Sequence, residues 1–244
     1  MFHHNEIDNI KQYFKENGYV VITNVINEKE IENTINEICT HPALLGDYGF
    51  NLKDPTTWDK PHIVEYGFVD VNQGHSQGHS QNELEYAWYN RQNENVVSSF
   101  QNILGTDEIV VNEDRFGIMR PTKVNSKWKT LDTWLHWDKN PWAYPDFSTV
   151  QGLITLTDHT EDSGGFCCIP KFHLKLREWT ENNLDYKNKN LNETNHIVDF
   201  PKDDPACKDV KKILAPAGSL IIWDSGLPHC CLLYTSDAAD EHGC

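Results

Sequence analysis

The apolar positions of the first forty residues change period twice. Between Asn5 and Lys15 the residues Ile7, Ile10, Tyr13 and Phe14 recur at helical spacing, and Gly18 ends the pattern. GYVVITNVI, which begins at that glycine, is rich in β-branched residues and predicts a strand. Asn27 then stands as an N-cap before EKEIENTINEIC, where helical spacing returns. Residues 41–81 carry proline, glycine and polar side chains with little period, which predicts loops that wrap the core. A further helix is predicted over Asn95 to Leu104.

Beyond that helix the apolar runs shorten. EIVVNEDRFGIMRP, KWKTLDTWLHWD, VQGLITLTDHT and GFCCIPKFH are strand-like and separated by turn-forming residues. Gly164 and Gly165 predict a tight turn between antiparallel strands, and Pro170 the close of the following one. The polar stretch TENNLDYKNKNLNETNH predicts a solvated insertion, after which VKKILAPAGSLIIWDSGLPH resumes the strand pattern. So many short strands in the second half imply a mainly β fold with flanking helices, arranged as a sandwich or barrel.

Composition narrows the partners. A chain of 244 residues without a compositional break is read as one domain. No apolar run approaches the length of a bilayer span, and the N-terminus lacks the basic head and apolar stretch of a secretory signal, so a cytoplasmic location and no membrane partner are expected. A net charge of -16 argues against a nucleic-acid partner, which needs clustered Lys and Arg, and favours a small-molecule substrate. The seven cysteines show neither CxxC nor a disulfide framework and are read as reduced thiols. Cys167 and Cys168, adjacent on a strand, face opposite ways as small buried hydrophobes. Asn192-Glu193-Thr194 is a glycosylation triplet by chance, and His75 and His79 in GHSQGHSQ sit beside glycines that argue against a metal-binding helix.

The residues with metal chemistry lie in TWLHWDKNPW. His136 and Asp138 are two apart, so on an extended strand both face the same side. Iron that activates dioxygen is held on one side only, with three positions left open, and two histidines plus one carboxylate provide that. His229, after the strand GSLIIWD and the turn DSGLP, is the candidate second histidine, which a β-roll can fold back beside the first pair. Alone, a His-x-Asp pair is a weak signal.

The surrounding text is stronger. LHWD, then LTDHTEDSGGFCCIPKFH, then APAGSLIIWDSGLPH, with the opening KENGYVVITNVI, resembles the phytanoyl-CoA dioxygenase family of iron(II)/2-oxoglutarate oxygenases, in the family's order. The resemblance implies a double-stranded β-helix core of the jelly-roll or cupin-like kind, with His136, Asp138 and His229 as ligands to Fe(II). It also implies 2-oxoglutarate and O2 as co-substrates, and hydroxylation coupled to oxidative decarboxylation to succinate and CO2. The carboxylate at Asp138 disfavours halogenation, because related halogenases leave that position to chloride. Trp134 on the same strand face, Gln151 at the start of the next strand and Arg120 as the nearest cation are candidates for co-substrate binding. Each has a structural reading as well: core packing for Trp134, a solvated strand start for Gln151, an ion pair with a neighbouring acid for Arg120. Trp137, Trp142 and Trp223 are read as core, and His173 as a hydrogen-bonded structural residue. Two other readings stay open: a non-catalytic β-roll protein, and a cupin-like enzyme using zinc or manganese.

Family members continue past the distal histidine into one more strand, which carries an arginine that grips 2-oxoglutarate. No arginine follows His229 here. CLLYTSDAADE, from Cys231 to Glu241, coincides with one reading frame of a transposase adapter widely used in sequencing libraries. The expectation is a domain over 1–230, adapter read-through over 231–244 and a core without its last strand. Finding those codons in contiguous genomic DNA would defeat it.

Overall fold

The computed structural model describes residues 1–41, 45–61, 84–111, 116–130, 134–147, 149–191 and 197–232. The strands among them are β1 (Phe2–His3), β2 (Tyr19–Thr23), β3 (His136–Trp137), β4 (Val150–Ile154), β5 (Gly165–Cys168), β6 (Val198–Asp199), β7 (Lys211–Lys212), β8 (Leu220–Asp224) and β9 (His229–Leu232). The α-helices are α1 (Ile7–Asn17), α2 (Glu28–Thr40), α3 (Glu85–Gln92), α4 (Glu94–Leu104), α5 (Leu176–Asn182) and α6 (Leu184–Asn190). The strands form two sheets, in the orders β1-β2-β8-β4 and β6-β3-β9-β5-β7. β1 pairs with β2 in parallel, and the other pairings are antiparallel.

The runs YVVIT and LIIWD are apolar without alternation because the first sheet is covered on both faces. Val21, Ile221 and Trp223 join a core that includes Trp137, Phe166, Cys167, Cys168, Val198 and Cys230 of the second sheet. Val20, Ile22, Leu220 and Ile222 pack the opposite way, with Ile10 and Phe14 of α1 and Val96 of α4. A single-residue slip in β8 would exchange these two sets of side chains, so packing specifies the register.

Helix ends show which signals are local. Asn27 caps α2 through a full capping box: its side chain accepts from Glu30 N at 3.0 Å, and the Glu30 carboxylate accepts from Asn27 N at 2.7 Å. α1 ends at Gly18, whose φ of 77° lets its N–H reach Phe14 O at 2.7 Å. A Cβ there would also lie 2.5 Å from His173 Nδ1, whereas one on Gly105, at φ 70°, would meet nothing within 4 Å. Gly105→Ala is therefore expected to lose about 1 kcal/mol for the left-handed backbone alone, and Gly18→Ala clearly more. Urea denaturation of the two variants checks this, and equal losses would contradict the close approach of His173.

Several expectations are corrected. Among the described residues the helices span more of the chain than the strands do, so "mainly β" overstates the sheet content. The run at 108–121 forms no multi-residue strand among its described residues, and Val110 is almost fully exposed. Among the described residues of the run at 127–138 only His136–Trp137 enters a ladder, while Ser126–Trp128 is a 3-10 turn capped by Asn125. Gly164 and Gly165 do not join paired strands: β4 pairs with β8 in one sheet and β5 with β9 and β7 in the other, so this turn carries the chain between sheets. The solvated insertion begins inside α5, where Thr180 is buried, and contains α6, a helix with no buried residue.

α3 has no signal of its own, because its cap comes from another helix. The Glu37 carboxylate of α2 accepts from Tyr86 N at 3.1 Å and Ala87 N at 3.3 Å, and Leu84 at the N-cap supplies no side-chain bond. His75, His79 and Asn192–Thr194 lie outside the described residues, as does the chain after residue 232. β9 itself runs beyond Cys230 to Leu232, with Cys231 opposite Phe166 in the ladder.

Candidate metal centre

The three candidate ligands arrive from two neighbouring strands. β3 and β9 are antiparallel, with His136 directly opposite His229, and their rings lie 4.7 Å apart. Asp138 follows β3 by one residue, so its carboxylate turns back to the same point. Oδ1 is 3.3 Å from His136 Nε2, and Oδ2 is 3.3 Å from His229 Nε2. One ligand atom from each residue can be chosen so that all lie within 4.8 Å of one another.

Both histidines are oriented by the same local device. His136 Nδ1 lies 3.0 Å from the Trp134 carbonyl, and His229 Nδ1 lies 3.0 Å from the Leu227 carbonyl, two residues back in each case. A carbonyl only accepts, so each Nδ1 carries a proton and donates it there, and each Nε2 is turned toward Asp138. Nε2 is thereby the atom that each ring can offer to a metal. Stacking holds the rings in place. Trp134 lies parallel to His136, with centroids 4.9 Å apart and planes at 10°, and its indole N–H donates to Cys231 O at 3.0 Å. His229 packs against Trp223 and Phe166.

The site is open on one side. The histidine side chains are 11% and 6% exposed, whereas that of Asp138 is 33% exposed, so approach is past the carboxylate. Burial by itself would push the Asp138 carboxyl up, but hydrogen bonds with His136, His229 and Gln151 outweigh it and hold the group well below the usual carboxylate range. The carboxylate is therefore an anion at any working pH. Two imidazole nitrogens and one carboxylate, with access from one side, form a donor set that suits a divalent transition metal with open positions.

The remaining sequence candidates fall differently. Gln151 donates through Nε2 to Asp138 Oδ2 at 2.7 Å, and so touches a ligand. Arg120 lies in another cluster: its guanidinium is 3.2 Å from Asp59, donates to Trp58 O at 3.1 Å and sits over the Trp128 ring. That is the ion pair with a neighbouring acid that the sequence allows, and none of these contacts involves the triad. His173 accepts its structural role, with Nε2 donating to Lys15 O at 3.1 Å. Trp137 is fully buried and Trp142 donates to Thr180 O at 2.8 Å, both in packing roles. The part of Trp223 was not readable, because its partner Gln151 is set beside it only by the β4–β8 ladder.

A model of the phytanoyl-CoA dioxygenase (PhyH) family matches residues 14–238. The chain belongs to this family. This PhyH-family chain is also 29% identical over 249 residues to a Dictyostelium discoideum protein provisionally named a phytanoyl-CoA dioxygenase, an alignment that takes in 89% of the chain and 68% of that protein. Solved structures with the same fold include the epimerase SnoN in complex with Fe3+, α-ketoglutarate and nogalamycin RO. It has a TM-score of 0.56 and 12% identity, over 96% of this chain and 79% of that one. The carbocyclase SnoK gives 0.55 and 16% over 97% and 81%. EctD from S. alaskensis, with 2-oxoglutarate and 5-hydroxyectoine, gives 0.54 and 14% over 92% and 70%. At these identities the likeness is one of fold. No helix among the described residues is long and apolar enough to cross a membrane.

Proposed function

We propose that this protein is an iron(II)- and 2-oxoglutarate-dependent oxygenase that hydroxylates a small or medium organic substrate, R–H + O2 + 2-oxoglutarate giving R–OH + succinate + CO2. The observation that carries the proposal is the convergence of His136, Asp138 and His229, with both Nδ1 atoms committed to backbone carbonyls, in a member of the PhyH family. The jelly-roll reading of the two sheets rests on the same likeness to solved oxygenases.

His136 and His229 would hold iron through Nε2 and Asp138 through a carboxylate oxygen, and the bound metal would supply redox chemistry with dioxygen and the 2-oxo acid. The protein's own part is positional. The Trp134 and Leu227 carbonyls engage Nδ1 and aim the imidazoles, and the stacked Trp134 ring stops His136 from turning. The carboxylate offsets part of the metal's charge and, by occupying the position a halide would need, favours hydroxylation over halogenation. Substrate and co-substrate enter on the open Asp138 side.

Anaerobic addition of Fe(II) and then 2-oxoglutarate should produce a weak visible charge-transfer band, and admission of oxygen should release succinate. Absence of the band with both present would overturn the proposal in favour of a non-catalytic β-roll or an enzyme of another metal. With a substrate in hand, a product heavier by one oxygen atom distinguishes hydroxylation from the epimerase and carbocyclase outcomes of related folds.

A further inference from the structure

We infer that Gln151 is a positioning residue for the metal-binding carboxylate: clamped by Trp223, it holds Asp138 by Oδ2 and so fixes how the carboxylate faces the two histidines. The inference rests on the triad being a metal site. It differs from direct contact of Gln151 with the co-substrate.

The orientation of the amide follows from hydrogen-bond chemistry. An indole N–H can only donate, and Trp223 Nε1 lies 3.1 Å from Gln151 Oε1, so that atom is the amide oxygen. The amide NH2 must then face Asp138, where it donates to Oδ2 at 2.7 Å. The clamp is rigid because Gln151 and Trp223 stand opposite one another in the β4–β8 ladder, and Trp223 is 7% exposed with its ring 4.4 Å from that of Phe166. His136 and His229 belong to the other sheet. The first sheet therefore orients a ligand delivered by the second, and the site is complete only where the two face one another.

A carboxylate with one oxygen engaged by an amide is held in one orientation toward a cation. Without the amide, the Asp138 side chain can turn at its exposed edge. Partners that orient a metal ligand typically contribute a factor of 10–100 in metal affinity.

The test is Mn(II) binding by wild-type protein, followed by electron paramagnetic resonance of the free ion, without 2-oxoglutarate or oxygen. Gln151→Leu should weaken Mn(II) about tenfold. Trp223→Phe, which keeps an aromatic side chain against Phe166 and His229 but loses the indole N–H and part of its volume, should weaken it about threefold, in the range of one neutral hydrogen bond. Because the two act in series, the double variant should bind no worse than Gln151→Leu alone. Wild-type Mn(II) affinity in Gln151→Leu, or losses that multiply in the double variant, would overturn the positioning role, the first result pointing instead to a contact with co-substrate alone. If Gln151→Leu fails to fold, Trp223→Phe decides by itself, with unchanged affinity counting against the inference. Asp138→Ala separates the two levels: undiminished Mn(II) binding there would remove the metal site itself, whereas lost binding there with wild-type binding in Gln151→Leu would remove only the clamp.

Discussion

Asp138→Ala is expected to abolish succinate release and hydroxylation, a loss of more than about 100-fold, since removing a group that merely orients a ligand already costs 10–100-fold. The variant removes the carboxylate from a site that otherwise offers two imidazole nitrogens. It should leave the fold intact, because the carboxylate side chain is 33% exposed. Succinate formation under oxygen measures the effect, and a melting curve confirms folding. Asp138→Asn sharpens the comparison: it retains an oxygen for Gln151 and loses the charge, so activity near wild type there would show that shape rather than charge matters. Full activity in Asp138→Ala would mean that the wrong acid has been assigned.

Trp137→Ala should give the largest loss of stability, about 3–5 kcal/mol, as for other fully buried aromatic side chains replaced by alanine. Trp137 is inaccessible to solvent, and its ring centroid lies 5.1 Å from those of Trp179 and Phe200 and 5.9 Å from that of Phe172. Its indole N–H donates to Gly226 O at 3.1 Å, so truncation also leaves a buried acceptor without its donor. Gly226 belongs to the turn that leads into His229, and Mn(II) affinity should fall together with stability. Urea denaturation followed by circular dichroism checks the first effect. A midpoint within error of wild type would show that this aromatic cluster does not hold β3. Trp137→Phe, which fills most of the volume, should lose less.

Trp137 also shows how much a short motif can say. In His136-Trp137-Asp138 the middle residue points into the core and its neighbours toward the metal position, an alternation that period-2 geometry makes readable from sequence. The capping box at Asn27 and Glu30 and the glycine end of α1 were readable in the same way, because donor and acceptor lie within four residues. The described residues of the strand-like runs at 108–121 and 127–135 form no multi-residue strand, since strand propensity describes a side chain suited to a sheet but cannot supply a partner strand. α3 could not be found at all, its N-terminal N–H groups being satisfied by Glu37 from α2.

The sequence by itself determined what is set by neighbours along the chain: the helix caps, the doubly buried strands β2 and β8, the side of β3 that carries His136, and the residue types able to hold a metal. Only the tertiary structure decided that His136 faces His229 across one ladder, that Gln151 is turned by Trp223 toward Asp138, and that Arg120 is engaged by Asp59. The reason is physical. Caps and periodicity come from interactions over two to four residues, whereas ladder partners and the donors that aim a ligand are chosen by how two sheets pack, which no local pattern encodes.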